Sequence, residues 1–147
     1  MELYVNGLFE KEGYSMLKKF ILKNYKNFKD KICINFEGLA GYQFSTDCIT
    51  NGQIGKMLIY GRNATGKTNL GKAFMDMKLT MLDGLGFKNK GLFLNADSKE
   101  DSAKFSYIFQ FDDRQMTYNY ARFADQKLQD EELIIDGITI FKSMLTT

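Results

Sequence analysis

The chain has 147 residues, 44% of them hydrophobic and 14% aromatic, enough for one domain with a real core. Its 20 Lys+Arg against 18 Asp+Glu leave a net charge of +2, too small to argue for nucleic acid as a direct partner. Histidine is absent, which excludes histidine-based nucleophilic or general-base catalysis and the usual histidine-containing zinc sites within this chain.

In chain order, Ile21–Phe28 and Lys31–Phe36 read as two short strands around a polar Lys29–Asp30 turn. The lysines between Lys18 and Lys31 read as a solvated strand edge. Cys33 lies in an apolar run and reads as a small buried hydrophobe, and two cysteines make no disulfide framework. Glu37–Gly55, with glycines among polar residues, is expected to be a loop-rich connection. Lys56–Tyr60 (KMLIY) predicts a short buried strand ending at Gly61.

Gly61–Thr68 (GRNATGKT) is a phosphate-loop pattern. Gly61 and Gly66 let the backbone turn tightly and present N–H groups to phosphate oxygens without a Cβ in the way. Arg62, Asn63, Ala64 and Thr65 form the body of the loop, and Asn69 follows it. A helix over 67–82 is predicted by Leu70, Ala73, Phe74, Met77 and Met81 at three- and four-residue spacing, with Asp83–Gly84 as its stop. Its N-terminus aims a partial positive charge at the same anion. Lys67 is the expected contact to the β- and γ-phosphates and the group that offsets transition-state charge. The Thr68 hydroxyl is the expected Mg²⁺ ligand. The pattern therefore points to ATP with Mg²⁺. A GTPase would carry an NKxD motif, and Lys88-Asn89-Lys90-Gly91 lacks the aspartate. Three arginines are few for the lid of a small nucleotide kinase.

Beyond the helix, Lys104–Phe111, Met116–Phe123 and Glu132–Phe141 are rich in aromatic and β-branched residues with partial alternation. Asp112–Gln115 joins the first pair, and Asp136-Gly137 is a strong two-residue hairpin signal, so antiparallel strands are expected over about 104–141. Leu133-Ile134-Ile135-Asp136 also has the outline of a Walker B strand, but Gly137 follows it where an acidic residue should stand, and the hairpin explains the pair better. Gln110 and Gln115 read as structural rather than as a glutamine that senses the nucleotide. No apolar stretch approaches the ~20 residues needed to cross a bilayer, and no signal pattern opens the chain. No membrane partner and a cytoplasmic location are the expectation.

Met16–Phe36 (MLKKFILKNYKNFKDKICINF) followed by Leu58–Phe74 (LIYGRNATGKTNLGKAF) resembles the start of the SMC/RecF/OLD group of ABC-type ATPases. In that group a strand ends in N-[FY]-[KR]-x-F, matched by Asn24-Tyr25-Lys26-Asn27-Phe28. The loop reads G-x-N-x-[ST]-G-K-[ST]-N-L, which Asn63, Thr65, Asn69 and Leu70 fit. The resemblance covers roughly 16–142 and is looser after Asp83. It implies an α/β P-loop NTPase fold, an N-terminal ATPase-head lobe with a strand–loop–helix core and an antiparallel β-subdomain. It also places Lys26 and Asn27 close to the nucleotide.

Hydrolysis in that group needs a Walker B pair, a signature motif supplied across a dimer and a switch histidine, none of which this chain provides. The expected partners are thus a C-terminal ATPase half or second head, with an effector or nuclease subunit in DNA transactions or prokaryotic antiviral defence. DNA itself is possible but not argued by the charge. A non-hydrolysing nucleotide-sensing subunit is the alternative reading, and a small P-loop kinase a more distant one. Residues 1–15 precede the family-like start. Because Lys11-Glu12-Gly13 can encode a purine-rich ribosome-binding site before Met16, Met1 reads as a misassigned upstream start, with an ordinary N-terminal extension as the alternative.

Overall fold

The computed structural model describes residues 2–4, 15–41, 43, 44, 46–83 and 91–144. In chain order it runs β1 (Glu2–Tyr4), β2 (Ser15–Lys23), β3 (Ile32–Asn35), a 3₁₀ turn (Thr46–Cys48), β4 (Ile49–Thr50), β5 (Gln53–Ile54) and β6 (Lys56–Leu58). Then come α1 (Lys67–Asp83), β7 (Ser102–Phe111), β8 (Arg114–Phe123), β9 (Leu128–Ile135) and β10 (Ile138–Met144). Six strands make one sheet in the order β10-β9-β8-β7-β2-β3, every neighbouring pair antiparallel.

Alternation explains the long strands. On β7, Phe105, Tyr107 and Phe109 are buried while Lys104 is exposed and Ser106, Ile108 and Gln110 are half-buried. Tyr118 and Tyr120 of β8 and Phe20 and Leu22 of β2 join them on one face. The helix lays Ala73, Phe74 and Met77 on that face. Phe20 meets Phe74 edge-on at 5.3 Å, and Phe105 stacks on Tyr120 at 4.8 Å. The turn between β9 and β10 has Asp136 at φ 50 and Gly137 at φ 78, the paired positive angles of a type I′ hairpin.

The α/β P-loop fold implied by the family resemblance is contradicted. β6, the strand that leads to the loop, pairs antiparallel with β1 and has no place in the main sheet. A parallel core needs helical crossovers between its strands. Among the described residues there is one helix, and the strands after it are joined by tight turns that force antiparallel pairing. The described residues are therefore mainly an antiparallel sheet with a single α-helix across it.

KMLIY is not a buried strand: Leu58 is exposed and Tyr60 is 88% exposed, because only β1 flanks β6. Cys33 is exposed, since it alternates with the half-buried Ile32 and Ile34 and lies on the opposite face of β3. Strand β2 stops at Lys23, five residues before the expected Phe28, because Asn24 (φ 54) and Lys26 (φ 48) turn the chain left-handed. Met81 is exposed, and the buried Thr80 takes the last place on the helix face instead. Gly84 and Lys88–Lys90 lie outside the described residues.

Candidate phosphate-binding site

Gly61–Gly66 leads into α1 as an exposed loop, with Gly66 half-buried. Ala64 (φ 63) and Gly66 (φ 94) supply the left-handed steps that fold it back over the helix start. The first helical bond runs from Leu70 N–H to Gly66 O at 2.8 Å. The amides ahead of Leu70 accordingly have no acceptor within the helix. Lys67 Nζ donates to Gly61 O at 2.7 Å and Arg62 O at 2.6 Å, tying the mouth of the loop together. Thr65 Oγ1 donates to Arg62 O at 2.9 Å. Thr68 is exposed, and its hydroxyl has no hydrogen-bond partner among the described residues. Arg62 and Asn63 stand exposed beside it.

The turn after β2 buttresses this loop. Asn27 Oδ1 accepts from Asn69 Nδ2 at 2.9 Å, and Asn27 Nδ2 reaches Thr65 O at 3.5 Å. A Cβ at position 66 would lie 2.0 Å from Asn27 Nδ2, so only glycine allows the asparagine this close. The turn is itself pinned from below. Asn24 is fully buried, donates to Ser102 O at 2.8 Å and Glu100 O at 3.1 Å, and accepts from Asn95 N–H at 3.3 Å. Asn95 Nδ2 donates to Lys26 O at 2.6 Å, and Tyr25 packs edge-on against Phe93 at 5.2 Å.

Of the two turn residues expected near the nucleotide, the fold brings Asn27 to the loop. Lys26 instead donates its ammonium to Leu92 O at 3.1 Å. Partial burial first, and the Lys72 ammonium second, lower its pKa below the usual 10.5.

A second cluster lies under the middle of α1. Asp76 accepts from Tyr120 OH at 2.8 Å and pairs with Arg122 Nε at 3.3 Å. Arg122 also donates to Thr80 Oγ1 at 2.7 Å and Gln126 O at 2.6 Å. Tyr107 OH donates to Ala73 O at 2.7 Å. Burial pushes the Tyr107 and Tyr120 hydroxyls well above the usual 10.0, and the Asp76 carboxylate adds to the effect. The sequence reading missed Asn24, Asn95 and this ion pair. Asp76 left one signal, an acid set between the buried positions Phe74 and Met77.

Asp136, the one candidate Walker B acid, is remote. It accepts from Arg114 Nε at 2.9 Å and Gln115 N–H at 2.8 Å, at the end of the sheet where β7 turns into β8. The loop's buttress is at the opposite end, where Lys23 pairs with Lys104. The stretch of β7 between Lys104 and Phe111 separates them by roughly 20 Å. Among the described residues, no group of three Asp, Glu, Cys or His is placed to hold a metal ion. No helix among them is long and apolar enough to cross a membrane.

Comparison of the chain with protein-family models, with curated proteins and with solved structures finds no match in any of the three.

Proposed function

We propose that this chain binds Mg·ATP through Gly61–Thr68, as the nucleotide-gripping part of an SMC/OLD-like ATPase. The carrying observation is the loop itself. Two left-handed residues and the Asn27 buttress hold it folded over the free amides at the start of α1, with Lys67 at its mouth. Such an arrangement offers a triphosphate backbone donors, the positive end of a helix and a mobile ammonium. Thr68 would supply one oxygen to Mg²⁺, and ATP phosphates and water would complete the shell.

Cleavage is a different matter. With Asp136 bonded to Arg114 and Gln115 at the far end of the sheet, the chain's one Walker B candidate is out of reach of the loop, so the chain alone should hydrolyse ATP poorly. We assign that task to a partner polypeptide, a second head or the remaining ATPase half. The exposed apolar side chains Leu58 and Tyr60, just ahead of the loop, favour such a partner. DNA transactions or antiviral defence, with an effector or nuclease subunit, are the setting that the resemblance suggests. The same lack of a cleavage group favours a second reading, a non-hydrolysing subunit that senses ATP.

The test is titration calorimetry with Mg·ATP. Lys67→Ala should abolish binding and leave the circular dichroism unchanged. Binding retained at similar affinity would remove the loop assignment. Turnover by the purified chain above about one per second, within the ordinary range for enzymes, would remove the division of labour.

A further inference from the structure

The face of the six-stranded sheet turned away from α1 is not flat. On β7, Lys104 and Ser106 alternate with the buried Phe105 and Tyr107 and so lie on that outer face. The ladders set them in two rows across the strands. One row runs Lys23, Lys104, Ala121 and Asp130, from β2 through β7 and β8 to β9. The next runs Ile21, Ser106 and Asn119. Ala121 and Ser106 are the short members, so longer neighbours rise around them and leave a cavity of about 290 Å³, which Lys31 also lines. That volume lies near the lower end for small-ligand sites, roughly 300–1,000 Å³. Charge is divided across it. At the β2 side stand Lys23, Lys31 and Lys104, and Glu100 is the carboxylate that pairs with Lys23 and, at 3.6 Å, with Lys104. The Lys31 ammonium has no partner among the described residues, so the cations outnumber their anion. At the β9 side the Asp130 carboxylate also has none, and neither has the Ser106 hydroxyl between them. Asn119 donates to Glu132 Oε2 at 3.3 Å and keeps its carbonyl oxygen as an acceptor.

We propose that this cavity binds a free α-amino acid with an apolar side chain. Its carboxylate lies among the lysines, its ammonium meets Asp130 and the Asn119 carbonyl, and its side chain rests on Ile21 and Ala121. Charge complementarity selects that class. A plain anion would satisfy the lysines but leave Asp130 unmatched, and a plain amine would do the reverse. Spacing agrees. Lys104 and Asp130 lie two strands apart, about 10 Å at roughly 4.8 Å per strand. A zwitterion with both charges at one end fits between them, with a charge-assisted hydrogen bond of about 2.8 Å on each side. The cavity shares no residue with Gly61–Thr68 and needs no nucleotide.

Titration of the full isotope-labelled chain with L-leucine, followed by amide chemical shifts without nucleotide, tests this and keeps it apart from ATP binding. The expected result is a saturable shift centred on Ser106, Asn119 and Ala121. The same carbon skeleton without the amine (4-methylpentanoate) or without the carboxylate (3-methylbutylamine) should bind at least about tenfold more weakly, as each loses a hydrogen bond to a charged group. Asp130→Asn and Lys31→Met should each weaken L-leucine by a similar factor with unchanged circular dichroism. Lys29→Met, which removes a nearby charge outside the cavity, should not. Absence of shifts at tens of millimolar L-leucine overturns the proposal, as do shifts centred elsewhere. Equal affinity for 4-methylpentanoate would make the cavity a simple anion site and overturn it too, and so would full binding by Asp130→Asn or equal loss in Lys29→Met.

Discussion

The interface between α1 and the sheet and the loop at the start of the same helix are built on opposite terms. Beneath the middle of the helix, aromatic rings and the Asp76–Arg122 pair are sealed from water, and the two partners are almost fully buried. At the helix start the chain is largely exposed and held by a few hydrogen bonds of Asn27, Thr65, Lys67 and Asn69. The difference assigns labour within one element. A rigid scaffold fixes where the helix lies, and a loosely held loop remains free to exchange its internal bonds for those to a ligand.

The sharpest way to break this contrast is to remove half of the buried pair. Arg122→Met alone leaves the Asp76 carboxylate uncompensated in the interior and should cost about 3–5 kcal/mol in urea unfolding. Asp76→Leu combined with Arg122→Met removes both charges and should recover most of that loss. A double variant as unstable as the single one would show that the hydrogen bonds to Tyr120 and Thr80, not the charge balance, hold the helix.

Gly66→Ala should act at the other end. The alanine Cβ must displace Asn27, and φ near 94° strains any L side chain, at about 1–2 kcal/mol. Because the site is local, Mg·ATP affinity should fall much further than the unfolding midpoint. If the two fell together, the loop would be part of the scaffold after all.

Alkaline pH probes the buried side through its tyrosines. The folded state keeps protons on Tyr107 and Tyr120 that the unfolded chain releases near the usual 10.0. The folded state therefore binds more protons, and stability should fall as pH rises above about 10. Tyr107→Phe should flatten that slope in unfolding measurements across the range. The smallest effect belongs to Asn69→Ala, which removes one exposed bond to Asn27 and should cost about 0.5–1.5 kcal/mol or less. It should nevertheless speed amide exchange at the loop more than in β7 or β8.

Local chemistry was legible in the residues themselves. GRNATGKT marks a loop and a helix start because glycine, lysine and threonine at that spacing have few other uses. Asp136-Gly137 marks a hairpin because both positions need positive φ. The alternation of Phe105, Tyr107 and Phe109 marks a strand with one wet face, and Leu70, Ala73, Phe74 and Met77 mark a helix face. Each of these signals is complete within a few consecutive residues.

What the chain could not announce was which segments meet. The family resemblance led to an α/β core, yet β6 pairs with β1, and the large sheet is antiparallel throughout. The motif NYKNF read as the end of a strand, whereas Asn24 and Lys26 make it a turn whose Asn27 seats against Gly66. Cys33 read as buried, but the fold sets Ile32 and Ile34 toward the core and Cys33 on the opposite face. Arg122 is one of three arginines in the sequence, and only the crossing of α1 over β8 sets Asp76 against it. Periodicity and turn chemistry are properties of neighbours along the chain. Strand partners, buttresses and buried ion pairs join residues dozens of positions apart, and their energies exist only once the chain has closed on itself.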